Sequence, residues 1–146
     1  MQKYIITLAI FFSLPLTAQE LQLSWKKEFN VATELAKSEN KPILIYFSKA
    51  DCDTCLQFYT DFFKQETFQD LSSNFILLML DGSNMDVNTD DLAIIRQRRW
   101  IHHFNSSFIF PAVLVIDKDR QPLGELLIKS DNSSIQDYWS FLKTLN

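Results

Sequence analysis

The sequence predicts a single α/β domain, with a mixed central sheet flanked by helices on both faces. Three continuous apolar runs, typical of strands buried on both faces, alternate with segments whose apolar residues recur at helical spacing. Of the 146 residues, 47% are hydrophobic and 13 are Phe, which is enough apolar material for one packed core. Alternating strands and helices are typical of a sheet that carries helices on both faces.

Residues 1–18 have the features of a secretory signal peptide. Lys3 supplies a positive charge, an apolar run extends to Leu16, and small residues stand near Ala18. We expect cleavage after residue 18 or 19, which leaves 19–146 as a secreted or periplasmic domain. An uncleaved N-terminal anchor is the alternative, although the run is shorter than the ~20 apolar residues of a membrane span. We expect no membrane span in the mature chain.

The first predicted elements lead to the central strand. Residues 20–25 alternate apolar and polar side chains, which predicts a short edge strand. Apolar residues at helical spacing predict an amphipathic helix from Phe29 to Asn40. Residues 40–42 end this helix, because Pro42 disfavours helical backbone in the residue before it. The run from Ile43 to Phe47 predicts a strand buried on both faces.

The middle of the chain predicts two further helices around a second strand. A helix is expected from Cys52 to about Phe68, with Leu56 among its apolar positions. The run from Phe75 to Leu80 predicts the second buried strand. An acidic first turn at 89–91, which suits the helix dipole, predicts a helix that extends to about Phe104.

The last elements complete the sheet. Ala112 to Ile116 predicts the third buried strand, and Leu123 to Ile128 is expected to pair back on it as a hairpin. Residues 130–132 are expected to cap a final helix with Tyr138 and Trp139 on its apolar face. The predicted order is therefore β-α-β-α-β-α-β-β-α.

The only two cysteines of the chain form the motif Cys52-Asp53-Thr54-Cys55, between a predicted buried strand and a predicted helix. A thiolate is the nucleophile of disulfide exchange, and the free N–H groups at a helix N-terminus favour negative charge. Three-residue spacing places both sulfurs on one helical face, close enough to bridge. The first cysteine would attack a disulfide, and the second would resolve the mixed disulfide.

Two alternatives for the cysteines stay open. A purely stabilising disulfide would close a loop of about four residues, and the expected stabilisation of roughly 2 kcal/mol is less than a long loop provides. A zinc site would need His102 and His103, but adjacent histidines do not readily share one tetrahedral site. We therefore expect neither a metal nor another cofactor.

With these motifs, the mature chain resembles the thioredoxin superfamily over essentially its whole length. It looks most similar to a secreted branch with an Asn-Lys-Pro turn after the first helix, here residues 40–42, and a Thr-Phe pair, here 67–68. The resemblance implies a thioredoxin-like fold and a cis-proline that faces the active site. Pro111 matches that proline, and the resemblance implies that Phe110 and Pro111 bind substrate. X-Pro bonds are the ones that readily adopt cis.

The sequence departs from the family pattern around the cysteines. Asp51 stands where thioredoxins often have Trp, and Asp53-Thr54 stands where they often have Gly-Pro. Both carboxylates are expected to disfavour the Cys52 thiolate, with Lys49 as a partial offset. Tyr46 replaces a buried Asp that often accepts a proton.

The region around the fourth helix allows two interpretations. Its basic residues form either a docking surface for an acidic partner or a solvated helix face; they are Arg96, Arg98, Arg99, His102 and His103. The stretch from Ser83 to Asn105 is longer than this fold requires. It either covers the active site and helps to select substrates, or it is an ordinary extended loop and helix.

These features predict a thiol–disulfide oxidoreductase that acts on protein disulfides outside the cytosol through Cys52 and Cys55. We expect protein thiol or disulfide substrates, a redox partner protein and a monomeric state. The net charge of -4 argues against nucleic-acid binding, which needs a basic surface. The alternative is a non-catalytic thioredoxin-like module that binds or chaperones secreted client proteins, and the loss of the buried Asp favours it.

Overall fold

The computed structural model describes residues 22–145, so the signal peptide predicted at residues 1–18 lies outside the described residues. The helices are α1 (Phe29–Glu39), α2 (Asp53–Phe58), α3 (Glu66–Ser72), α4 (Leu92–Phe104) and α5 (Asn132–Lys143). The strands are β1 (Ile43–Ser48), β2 (Ile76–Asp81) and β3 (Ala112–Ile116). No helix within the described part of the chain is long and apolar enough to cross a membrane.

The three strands form one mixed sheet in the order β2-β1-β3, which confirms the predicted sheet type. The central strand β1 pairs in parallel with β2 and antiparallel with β3. Phe47, near the end of β1, pairs with Leu80 on one side and with Ala112 on the other. The end of β2 and the start of β3 therefore lie at the same edge of the sheet as the loop that follows β1.

Helices cover both faces of the sheet, as the sequence predicts, because the strand side chains alternate between two cores. One core joins Leu44, Tyr46 and Val113 to side chains from α2, α3 and α5. The other core joins Ile45, Phe47 and neighbouring strand residues to α1 and α4. Both sets of strand side chains are almost fully buried, which explains why the sequence shows continuous apolar runs rather than alternation.

The predicted edge strand at residues 20–25 is wrong in its position. Residues 22–25 have no strand pairing, and a single parallel bridge joins Lys26 to Leu78 on the outer side of β2. Two backbone hydrogen bonds hold this bridge, from Lys26 N to Leu77 O and from Met79 N to Lys26 O, each 2.8 Å long. Trp25 packs against the core.

The predicted strand from Leu123 to Ile128 is present only as separated bridges to β3. Val113 pairs with Leu127, and Ile116 pairs with Pro122, both antiparallel. The chain takes five residue steps from Pro122 to Leu127 but only three from Val113 to Ile116, so the pairing cannot be continuous. The predicted hairpin is therefore correct in its direction but interrupted in its middle.

The predicted helix from Cys52 to Phe68 is wrong, because the chain breaks it after its third turn. A π-helical turn, Tyr59–Phe63, follows α2, and α3 begins only at Glu66. Gln65 has an extended backbone, with φ of -75° and ψ of 140°. The wider turn lets the consecutive residues Phe62 and Phe63 both enter the core, where each is fully buried.

The predicted helix stop at residue 40 and the predicted cap at 130–132 are confirmed, but the acidic first turn predicted at 89–91 is wrong, because α4 begins at residue 92 and residue 91 is its N-cap. Asn40 follows α1 in the left-handed conformation, with φ of 51°, and so turns the chain towards β1. The Asp91 carboxylate accepts a hydrogen bond from Ala93 N at the start of α4. The Asp131 carboxylate accepts one from Ser134 N at the start of α5. Tyr138 and Trp139 of α5 are buried, as predicted.

Candidate active site

The two cysteines lie at the start of α2, after the loop that follows β1. Cys52 is the N-cap residue of α2, and Asp53 is its first helical residue. A disulfide joins Cys52 to Cys55, with the two Cα atoms 5.2 Å apart. The pair therefore occupies the position that the sequence predicts, between a buried strand and a helix.

The two sulfurs differ in their exposure to solvent. Cys52 is partly exposed, whereas Cys55 is only 3% exposed. The backbone N–H of Cys55 donates a 3.1 Å hydrogen bond to Cys52 Sγ. This bond and the helix N-terminus both favour negative charge on the Cys52 sulfur. A thiolate is therefore better supported at the accessible sulfur than at the buried one.

Tyr46 lies beneath the cysteine pair, on the central strand. It is almost fully buried, and its hydroxyl donates a 2.8 Å hydrogen bond to the backbone carbonyl of Cys55. Burial raises the pKa of the Tyr46 hydroxyl above its ordinary value, so this group stays protonated at neutral pH. Tyr46 is thus a hydrogen-bond donor where a carboxylate would be a proton acceptor.

An open groove of about 350 Å³ surrounds the disulfide. Cys52 and Cys55 line it together with Leu56, Tyr59 and Met79. Leu56 is 70% exposed, so the expectation that it belongs to the apolar face of the helix is wrong. The helical spacing of this apolar side chain in the sequence does not distinguish a core residue from a residue that lines the groove. An exposed leucine beside a reactive sulfur offers an apolar contact to a bound polypeptide.

The peptide bond between Phe110 and Pro111 is cis, as predicted. Pro111 directly precedes β3, so it lies at the same edge of the sheet as the cysteine loop. The ring of Phe110 packs directly over Gly82, where a Cβ atom would meet ring carbons at 2.3 and 2.6 Å. Gly82 therefore provides the space for Phe110, a role that its position after a predicted strand does not reveal.

The charged residues beside Cys52 do not pair with one another. Asp51 and Asp53 are both exposed, and Asp51 has a left-handed backbone with φ of 51°. No ion pair joins Lys49 to either carboxylate within residues 22–145. The Lys49 ammonium lies instead over the ring of Phe110, 5.3 Å from its centroid. Lys49 thus contacts the residue before the cis-proline, while the two carboxylates stay free beside Cys52.

Ser83 ties the cysteine loop to the end of β2. Its hydroxyl oxygen accepts a 2.6 Å hydrogen bond from Ala50 N, and the hydroxyl donates to the Asp81 carboxylate. Gln97 of α4 donates a 2.7 Å hydrogen bond to the carbonyl of Asp81. This series of hydrogen bonds from Gln97 to Ala50 joins residues that are far apart in sequence, so no local sequence pattern could predict it.

The stretch from Ser83 to Asn105 does not line the cysteine groove in the described structure. Arg98, one of its basic residues, donates to the carbonyls of Asn84 and Val87 and so holds the loop before α4. His102 and His103 are exposed. No group of three or more His, Cys, Asp or Glu side chains in the described ranges could hold a metal ion.

The fold and the site define an α/β domain with a bridged cysteine pair at a helix N-terminus and a cis-proline at the same edge of its sheet. A family model described as thioredoxin-like matches residues 24–118. The chain therefore belongs to the thioredoxin-like family. A comparison with curated proteins gives no match.

Solved structures show the same fold at low sequence identity. The structure of "DsbH Oxidoreductase" matches with a TM-score of 0.65 and 18% identity, over 94% of this chain and 95% of that chain. A thioredoxin from Thermus thermophilus matches with a TM-score of 0.61 and 16% identity, over 84% of this chain and 85% of that one. A disulphide isomerase from Xylella fastidiosa Temecula1 matches with a TM-score of 0.59 and 16% identity, over 92% and 99%.

Proposed function

We propose that the protein is a thiol–disulfide oxidoreductase that acts on protein disulfides outside the cytosol. Cys52 is the nucleophile, and Cys55 is the resolving cysteine. The observation that carries this proposal is the asymmetry of the pair at the start of α2. The accessible Cys52 sulfur accepts the Cys55 N–H, whereas Cys55 is buried behind it. An attacking thiol must be accessible and ionised, but a resolving thiol needs only to reach its neighbour.

The reaction runs through a mixed disulfide. The Cys52 thiolate attacks one sulfur of a substrate disulfide, forms a new S–S bond and releases the other substrate sulfur as a thiolate, which takes a proton. Cys55 then loses its proton to solvent and attacks Cys52 Sγ. This step forms the Cys52–Cys55 disulfide and releases the second substrate thiol. Two electrons pass from the cysteine pair to the substrate, and the reverse sequence oxidises a dithiol.

Substrate binding is assigned to Leu56, which lines the groove, and to Pro111 and Phe110, which precede β3 at the same edge of the sheet. Pro111 and Phe110 offer backbone and ring to an extended substrate segment, and Leu56 adds an apolar wall. Asp51, Asp53 and Lys49 tune the charge around Cys52. No cofactor takes part, because the cysteine pair itself carries both electrons.

Reduction of insulin by dithiothreitol tests the activity. We expect the purified domain to accelerate insulin precipitation, and we expect Cys52→Ser to abolish the acceleration. Ser133→Ala, an exposed site on α5, is the matched control and should keep full activity. Equal acceleration by wild type and Cys52→Ser would contradict the proposal.

A location outside the cytosol is supported by the signal-peptide features of residues 1–18 and by the cysteine pair, since disulfide exchange has substrates in oxidising compartments. We propose a monomer that exchanges electrons with a redox partner protein. The N-terminal residue of the exported protein tests the cleavage after residue 18 or 19.

The direction of the reaction follows from the reduction potential of the Cys52–Cys55 couple. Equilibration with glutathione buffers measures it. A potential near about -270 mV makes the protein a reductase, and one near about -120 mV makes it an oxidase.

The second candidate is a thioredoxin-like module that holds secreted client proteins with little turnover. The observation that favours it is Tyr46, which is buried and protonated beneath Cys55 and leaves no carboxylate there to accept the Cys55 proton. This candidate predicts that wild type and Cys52→Ser suppress client aggregation equally, and that wild type does not accelerate insulin reduction.

A further inference from the structure

A second cavity of about 380 Å³ opens beside the cysteine groove. The two share Ser48, Lys49 and Met79 as lining residues, so they are continuous along one side of the active-site loop. The far wall comes from the end of β2 and from α4, and it includes Gln97 and Arg98. A polypeptide bound at Cys52 can therefore place a neighbouring side chain in this second cavity.

The lining of this cavity carries more positive than negative charge. The lining includes three cationic side chains, those of Lys27, Lys49 and Arg98, and one carboxylate, that of Asp81. The Asp81 carboxylate is already bonded to Ser83, through both the backbone N–H and the hydroxyl of that residue.

The three cationic side chains of the cavity differ in the hydrogen bonds and ion pairs that they already form. Arg98 donates to two backbone carbonyls, which fixes its guanidinium at the wall. Lys27 and Lys49 form no ion pair within residues 22–145. Positive charge for an anionic group that enters the cavity therefore comes from the exposed Lys27 ammonium, the fixed guanidinium, and the Lys49 ammonium, which lies over the Phe110 ring but forms no ion pair in the described part of the chain.

We propose that this cavity is a subsite for an acidic side chain, Asp or Glu, of the polypeptide substrate. The inference rests on the proposed function, since it places the acidic side chain relative to the reacting substrate cysteine. Asp51 and Asp53 flank Cys52, so they repel an acidic substrate residue that lies directly beside the reacting substrate cysteine. The acidic residue is therefore a few positions away along the substrate chain, over the wall shared by the two cavities.

A set of synthetic peptide disulfides tests the subsite. Each peptide carries one cysteine, bridged to a chromophoric thiol, and one variable position two to five residues away on either side. The variable residue is Glu, Gln or Lys. The reduced protein reacts with each peptide, and the second-order rate constant is measured at low and at high salt.

We expect one position at which the Glu peptide reacts about three- to fivefold faster than the Gln peptide at low salt, the size typical of exposed ion pairs. The preference should disappear in 0.5 M NaCl, where the Debye length is only a few ångströms, roughly 4 Å. Lys27→Glu should abolish the preference or transfer it to the Lys peptide.

Lys118→Glu is the control with the same change of charge. Lys118 follows β3 at the end of the sheet opposite to Lys49, so this variant should keep the preference for Glu. Equal rates for Glu and Gln at every position, or the same loss in both variants, would overturn the subsite. If no peptide reacts at all, the proposed function fails instead, which is a different outcome.

Discussion

The Tyr46 hydroxyl donates a 2.8 Å hydrogen bond to the backbone carbonyl of Cys55, and this bond joins the central strand to the redox helix. Tyr46 also packs against the rings of Phe58 and Phe63, with ring centroids 5.9 and 4.8 Å apart. The resolving cysteine is therefore positioned by a neutral donor within an aromatic core. The stability and the chemistry of the site are both linked to this one side chain.

Replacing Tyr46 with Phe should lower the free energy of unfolding by about 1 kcal/mol, because it removes one buried hydrogen bond but keeps the ring. Urea denaturation of the oxidised protein measures this change. Tyr59→Phe is the matched control, since it removes only the partly buried bond to Trp25 Nε1. It should cost less than Tyr46→Phe. An unchanged stability in Tyr46→Phe would show that the bond to Cys55 does not contribute to stability.

The stability of the oxidised protein should fall as the pH rises above about 10, the ordinary pKa of tyrosine. Burial raises the pKa of both Tyr46 and Tyr138, so the unfolded chain loses these protons at lower pH than the folded protein does. Stabilisation by the protonated hydroxyls is complete below pH 10 and is lost as the pH rises towards the folded-state values. Unfolding at pH 8 to 11 tests this, and Tyr138→Phe should flatten the decline. A stability that rises over this range would contradict it.

Asp53→Asn should lower the pKa of the reduced Cys52 thiol by a fraction of a unit, because it removes a carboxylate next to the thiolate. Labelling by iodoacetamide at pH 7 should then be about two- to threefold faster, since more thiolate is present. The reduction potential should rise with the more stable thiolate. Asp51→Asn should fold normally, because Asn tolerates the left-handed backbone of this position. We expect it to lower the pKa of the Cys52 thiol by less than Asp53→Asn does.

The test of this prediction is the pH profile of labelling for the wild type and both Asn variants. A Cys52 pKa that stays constant or rises in Asp53→Asn would mean that the carboxylate only stabilises the start of the helix.

Ser83→Ala should loosen the loop before Cys52, because Ala50 N loses its acceptor. We expect a loss of about 1 kcal/mol in the free energy of unfolding and a changed reduction potential, which a purely structural surface change would not produce. Ser83→Thr keeps the hydroxyl and should restore the potential, while the exposed Ser133→Ala should change neither quantity. An unaltered potential in Ser83→Ala would show that the tether does not position Cys52.

The sequence predicts the parts of this molecule that depend on local pattern. The apolar runs that begin at Ile43, Ile76 and Ala112 are strands with both faces buried over most of their length, and this burial requires apolar side chains on both faces. Asn40, Asp91 and Asp131 mark helix ends because their side chains or backbone conformations meet local needs. The spacing of the cysteine pair and its place between a strand and a helix predict the redox motif, whereas the cis-proline at Pro111 follows from the resemblance to the thioredoxin superfamily.

The sequence does not predict features that depend on how distant segments pack. The π-helical turn at Tyr59–Phe63 depends on core space that two consecutive phenylalanines fill. The exposure of Leu56 depends on the groove beside it. The hydrogen bond from Ala50 N to the Ser83 hydroxyl joins residues that are 33 positions apart in sequence. Helical spacing and strand propensity carry no information about any of these contacts.

Capture of a mixed disulfide by the reduced Cys55→Ser variant identifies the sulfur that attacks the substrate. After brief reaction with insulin and acid quenching, mass spectrometry of the unreduced peptides identifies the linked cysteine. We expect an insulin chain attached to Cys52, which dithiothreitol releases and which is missing in Cys52→Ser. The absence of an adduct in Cys55→Ser would contradict the assignment of Cys52 as the nucleophile. An adduct of equal yield at Cys55 in the Cys52→Ser variant would contradict it as well.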